Sequence, residues 1–62
     1  MKTKIDKNIY ETTIEFLIDR MALYWQVMDA TKSEKQKAKE QKLIDDCRKL
    51  KECIEENFEP GR

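Results

Sequence analysis

Apolar side chains are spread so unevenly along this chain that one half cannot cover the other. Residues 5–28 carry them around far more than one face of a helix, residues 31–42 carry almost none, and residues 43–58 carry a thin stripe. An ordinary surface helix needs a single apolar stripe facing the core. A chain with this distribution needs cover from outside: a second copy, a different partner, or both.

Size sharpens the point. Sixty-two residues make one domain at most, and chains this small bury only about 60% of their unfolded surface. The usual staples are disulfides, a metal or oligomerisation. The two cysteines, Cys47 and Cys53, lie six residues apart in a helical pattern. That is roughly 9 Å of helix rise, too far for a bridge within one helix. There is no histidine, no CxxC and no carboxylate cluster at ligand spacing, so neither metal nor cofactor is expected. Oligomerisation remains.

The pattern predicts an all-α, two-helix antiparallel hairpin forming a single domain over residues 1–62. Helix 1 runs from about 6 to 28, a turn covers about 29–32, helix 2 runs from about 33 to 58, and 59–62 form a tail. Asp6 or Thr3 caps helix 1. Thr31-Lys32-Ser33-Glu34 fits a capping box with Thr31 as N-cap, and Ser33-x-x-Gln36 offers a second register. Pro60-Gly61 stops helix 2. These are the only proline and glycine, so sheet-type turn signals are absent. With no glycine in the connection, one continuous long helix is the alternative.

At about 100° per residue, helix 1 carries two stripes. The first holds Tyr10, Ile14, Leu17, Ile18, Met21, Tyr24, Trp25 and Met28; its subset 10-14-17-21-24-28 has coiled-coil spacing. The second holds Ile5, Ile9, Phe16, Leu23 and Val27, with Thr13 and Arg20 between the two. Helix 2 offers one seam, Leu43, Cys47, Leu50, Ile54 and Phe58, flanked by Ile44 and Cys53. In a hairpin that seam lies against the N-terminal half of helix 1, with Ile5 near Phe58 and Ile18 near Leu43. Leu23, Tyr24, Trp25, Val27 and Met28 then face the polar start of helix 2. At about 25 cal/mol per Å² of apolar surface, several kcal/mol favour covering them. Phe16, Leu23, Tyr24, Trp25, Val27 and Met28 are therefore the candidate dimer or partner interface. A homodimer with antiparallel protomers, forming a four-helix bundle, is the expected assembly. A docking surface for a different protein is the sharper alternative, and the two are compatible.

Charge is balanced, 13 basic against 13 acidic side chains, which directs the chain toward neither nucleic acid nor an anionic membrane. No run is long and apolar enough for a membrane span and no signal-peptide core is visible, so a cytoplasmic setting is expected. Helix 2 is basic at its start and acidic at its end, the reverse of what its dipole prefers. The hairpin would place Lys2, Lys4 and Lys7 beside the acidic end. Glu11, Glu15 and Asp19 form an acidic i, i+4, i+8 row, a candidate surface for a basic partner. Lys32, Lys35, Lys39 and Lys42 are the candidate nucleic-acid contacts, though the lysines of 32–42 point in several directions and no arginine or aromatic is interleaved.

Catalysis needs titratable groups converging in a water-poor cleft. Asp45-Asp46 and Glu55-Glu56 are sequence neighbours about 100° apart and do not converge. The expectation is a non-enzymatic, small regulatory or inhibitory protein–protein interaction module acting as a homodimer. In length, hairpin layout and lack of catalytic residues the chain resembles the dimeric helical-hairpin RNA-binding proteins of plasmid copy-number control. That resemblance is architectural, carries no residue-level role, and implies the alternative of a dimeric RNA- or DNA-binding regulator. A structural subunit of a larger assembly is a third possibility.

Overall fold

The structure, a computed structural model, describes residues 1–62. Its elements are β1 (Thr3–Ile5), α1 (Lys7–Ala30), α2 (Glu34–Asn57) and β2 (Phe58–Pro60). The two 24-residue helices lie against each other as a hairpin, which removes the single-long-helix alternative.

Asp6 begins α1. Its carboxylate accepts from the backbone N–H of Asn8 at 2.9 Å and of Ile9 at 3.1 Å, satisfying two donors that a helix start otherwise leaves free. The link between the helices is three residues long, and its two outer residues, Thr31 and Ser33, each serve an end. Thr31 closes α1 by donating its N–H to the Val27 carbonyl, and its hydroxyl accepts from the N–H of Ser33. Ser33 caps α2, its hydroxyl accepting from the N–H of Gln36 at 3.3 Å. The second of the two capping registers is thus the one used, and Thr31 is spent on the helix before it. The Gln36 side chain reaches forward to Glu40 rather than back to the cap.

The two strands correct the expectation of an all-α chain in which residues 59–62 form only a tail. β1 and β2 pair in parallel, Thr3 with Phe58, Lys4 with Glu59 and Ile5 with Pro60. Ile5 therefore meets Pro60 rather than Phe58. Parallel strands need a long crossover instead of a tight turn, and the whole helical hairpin is that crossover. Thr3 and Ile5 are β-branched, and Pro60 pushes Glu59 toward extended backbone. Gly61 donates to the Ile5 carbonyl at 2.6 Å, and a Cβ at Gly61 would sit 2.9 Å from that same oxygen. A side chain there would force the two termini apart.

The molecule measures 45 × 19 × 9 Å, one layer of helix thick. Only Leu17, Ile44 and Glu40 are buried, at 5%, 3% and 6% exposure. On α1 the inner row is Tyr10, Ile14, Leu17, Met21, Tyr24 and Met28, each half-buried or buried. Ile18 and Trp25, grouped with that stripe by sequence, are exposed; they sit at its rim, beyond the reach of a single opposing helix.

On α2 the inner row is rotated from the expected seam. Glu40, Ile44, Cys47, Lys51, Ile54 and Phe58 face inward, Leu43 is half-buried, and Leu50 is 51% exposed. The two registers share Cys47, Ile54 and Phe58 and differ at the turns between. Turning inward on Ile44 centres the row on a bulky β-branched side chain. Lys51 is tolerated because its alkyl stem lies along apolar surface while its ammonium pairs with Glu55 at 3.1 Å.

Candidate interaction surfaces

No side-chain hydrogen bond or ion pair links α1 to α2; every one spans four residues or fewer. Lys7 pairs with Glu11 on its own helix at 4.0 Å, not with the acidic end of α2. Exposed i, i+3 and i, i+4 pairs of this kind each contribute a few tenths of a kcal/mol, roughly 0.2–0.5. The two helices are held by apolar packing, and the charges decorate each helix separately.

The inner surface contains one polar flaw. Glu40 is buried against α1; its Oε1 accepts from Gln36 Nε2 at 2.6 Å, while Oε2 has no partner. A buried polar atom left unpaired costs about 1–3 kcal/mol. The flaw lies in the stretch of α2 nearest the turn, residues 34–42, where Gln36, Lys37 and Glu40 turn inward and the one apolar residue, Ala38, is exposed.

The candidate interface residues separate into three groups. Tyr24 and Met28 are half-buried on the inner row. Phe16, Leu23 and Val27 are exposed together with Ile9. Trp25 is exposed with Ile18 on the other flank of α1. Heptad geometry places the second and third groups on opposite broad sides. Because α1 and α2 run antiparallel, residues one step before the inner Ile14, Met21 and Met28 share a side with those one step before Ile44, Lys51 and Phe58. That side holds Thr13, Arg20 and Val27 from α1, with Ile9, Phe16 and Leu23 beside them, and Leu43 and Leu50 from α2. The sequence grouped the Leu23–Met28 cluster by adjacency; a helix distributes adjacent residues around its circumference.

The opposite side carries the Trp25 edge: Ile18, Ala22 and Trp25 at i, i+4 and i+7, bordered by Glu11, Glu15 and Asp29. Glu15, Asp19 and Asp29 make no ion pair within the chain. Asp19 turns away from this edge, toward Phe16 and Leu23. Among the lysines, Lys37 turns inward and pairs with Glu34, and Lys42 pairs with Asp46. Lys32, Lys35 and Lys39 are exposed and unpaired, and Lys35, Lys39 and Lys42 lie on one stripe of α2.

An open depression of about 580 Å³ lies at the strand end, lined by Lys4, Ile5, Asp6, Pro60, Gly61 and Arg62. No group of three His, Cys, Asp or Glu residues is placed to hold a metal ion, and both cysteines are free. No helix is long and apolar enough to cross a membrane. No protein-family model, curated protein or solved structure matches the chain, so function is argued from these surfaces.

Proposed function

We propose that the protein is a small non-enzymatic interaction module that works as a helical-hairpin homodimer and binds another protein. The observation that carries this reading is the pair of exposed apolar surfaces on a molecule one helix thick. Ile9, Phe16, Leu23, Val27 and Leu50 crowd one broad side, and Ile18 and Trp25 mark the other. Stable domains consist of at least two packed layers, and a second copy supplies the missing one. The Trp25 edge then remains outside the dimer. An exposed Trp and Ile inside a border of carboxylates suits a partner with an apolar ridge flanked by lysine or arginine.

Light scattering across a concentration series, with circular dichroism on the same samples, tests the first half. A helical species of twice the 7.5 kDa chain mass is the expected result, and a helical monomer at every concentration would overturn it. The second half is tested by Trp25→Asp, which should leave the dimer mass unchanged and abolish retention of the protein partner. Retention unaffected by that substitution would remove the Trp25 edge from the reading.

The stripe Lys35, Lys39 and Lys42 favours one second reading, a nucleic-acid-binding regulator. Its signature is binding at low salt that falls steeply as salt rises. No binding at low salt disposes of it.

A further inference from the structure

The outer row of α1 reads Ile9, Thr13, Phe16, Arg20, Leu23 and Val27, with spacings of four, three, four, three and four; all but the half-buried Thr13 are exposed. That is a second coiled-coil seam on the same helix, and its spacings are unchanged when read backward about residue 18. A two-fold axis that crosses the helix needs this property, because the same patch then meets itself reversed. Resting on the homodimer reading above, we infer that the occupant of this face is α1 of a second copy, packed antiparallel about residue 18, with the two turns at opposite ends.

In that register Ile9 meets Val27 of the second copy, Thr13 meets Leu23, and Phe16 meets Arg20. Every a position faces a d position, as antiparallel seams pack. The Arg20–Phe16 pairing is one the chain already favours, since the Arg20 guanidinium lies 5.2 Å from the ring centroid of its own Phe16. Arg20 and Asp19 make no ion pair within the chain. About residue 18, each Arg20 comes within reach of Asp19 on the other copy, so two arginines and two aspartates alternate in sign around the axis. The same rotation packs α2 antiparallel on α2 of the second copy, which brings the half-buried Leu43 and the exposed Leu50 of the two copies onto one face, and the broad side, 45 × 19 Å, matches the ~800 Å² per partner of a stable interface. The competing two-fold, along the helices, sets the α1 row against the α2 row of Lys39, Leu43, Asp46, Leu50 and Asn57, where part of the apolar row would meet charged or polar side chains.

Thiol cross-linking separates the two arrangements. In a Cys47→Ala, Cys53→Ser background, Asp19→Cys lies beside the axis and should be joined to itself by a short bis-maleimide. Thr12→Cys and Gln26→Cys lie at the same level on opposite copies; mixed, they should give a cross-linked heterodimer, while Gln26→Cys alone gives none. A dimer by light scattering in which neither the Asp19→Cys pair nor the 12–26 mixture cross-links would overturn the register and leave the homodimer standing. A monomer by light scattering would overturn both. The two cross-links use different exposed positions, so misfolding of one variant leaves the other to decide.

Discussion

Helix α1 carries two rows with the same four-three alternation, and the fold treats them oppositely. The inner row, Tyr10 to Met28, is half-buried or buried and contains Leu17; the outer row, Ile9 to Val27, is exposed except at the half-buried Thr13. Their intrinsic hydrophobicity does not explain the difference. The outer row contains Phe16, Leu23 and Val27, while the inner one includes two tyrosines and two methionines. What separates them is α2, which offers a single apolar row and therefore covers one row of α1. Burial in a chain this small is set by what the opposing helix supplies.

The largest effect expected from that contrast is at the inner row. Leu17→Ala removes most of a side chain that is 5% exposed, and such truncations cost about 2–5 kcal/mol, enough to unfold much of a marginal domain. Leu23→Ala on the outer row should change the stability of the dilute, dissociated chain by less than about 0.5 kcal/mol. At concentrations where the dimer forms, it should raise the dissociation constant tenfold or more, about 1.4 kcal/mol, because both copies lose the contact. Thermal melts over a concentration range read both numbers. Equal effects for the two leucines at high dilution would erase the distinction between the rows.

The next effect sharpens the comparison from the side of α2. Where the inner row of α1 passes Glu40, apolar surface meets a carboxylate with one oxygen unpaired. A buried polar atom without a partner costs about 1–3 kcal/mol, and an apolar group of similar size does not carry that cost. Glu40→Leu should therefore raise the unfolding midpoint, and a lower midpoint would show that the carboxylate contributes something the Gln36 bond does not reveal.

How far the sequence foretold this arrangement varies with the element. Both helices, the Asp6 cap and the inner row of α1 follow from periodicity and local chemistry, which act over a few residues. The rotation of α2 does not, because rows through Leu43–Leu50 and through Ile44–Lys51 differ by one residue and share three members. The choice is made by packing against α1. The strands were hidden for another reason: at three residues each they are too short to show alternation, and their partner lies more than fifty positions away. The exposed surfaces were legible as an excess of apolar residues, but their division into two broad sides required the rotation of both helices. Trp25 and Leu23 are near neighbours in sequence and belong to different faces.

The smallest effect concerns the far end of both rows, where the strands clasp the base of the hairpin. The Gly61 N–H donates to the Ile5 carbonyl, and an added Cβ would lie 2.9 Å from that oxygen. Such an approach is shorter than van der Waals contact allows, so Gly61→Ala must move one terminus. Because a three-residue strand at a chain end frays at little cost, the relief should be local. The ribbon opens, the amide of residue 61 loses protection in hydrogen exchange as its bond to the Ile5 carbonyl breaks, and global stability falls by under about 1 kcal/mol. The contrast between the rows should survive unchanged, since Leu17 and Ile44 lie well away from the ribbon. If Gly61→Ala instead exposed Leu17 or loosened the amides at mid-helix, the ribbon would be setting the rotation of α2 through Phe58, the residue where helix passes into strand. The inner row of α1 would then owe its cover to the clasp as much as to Ile44.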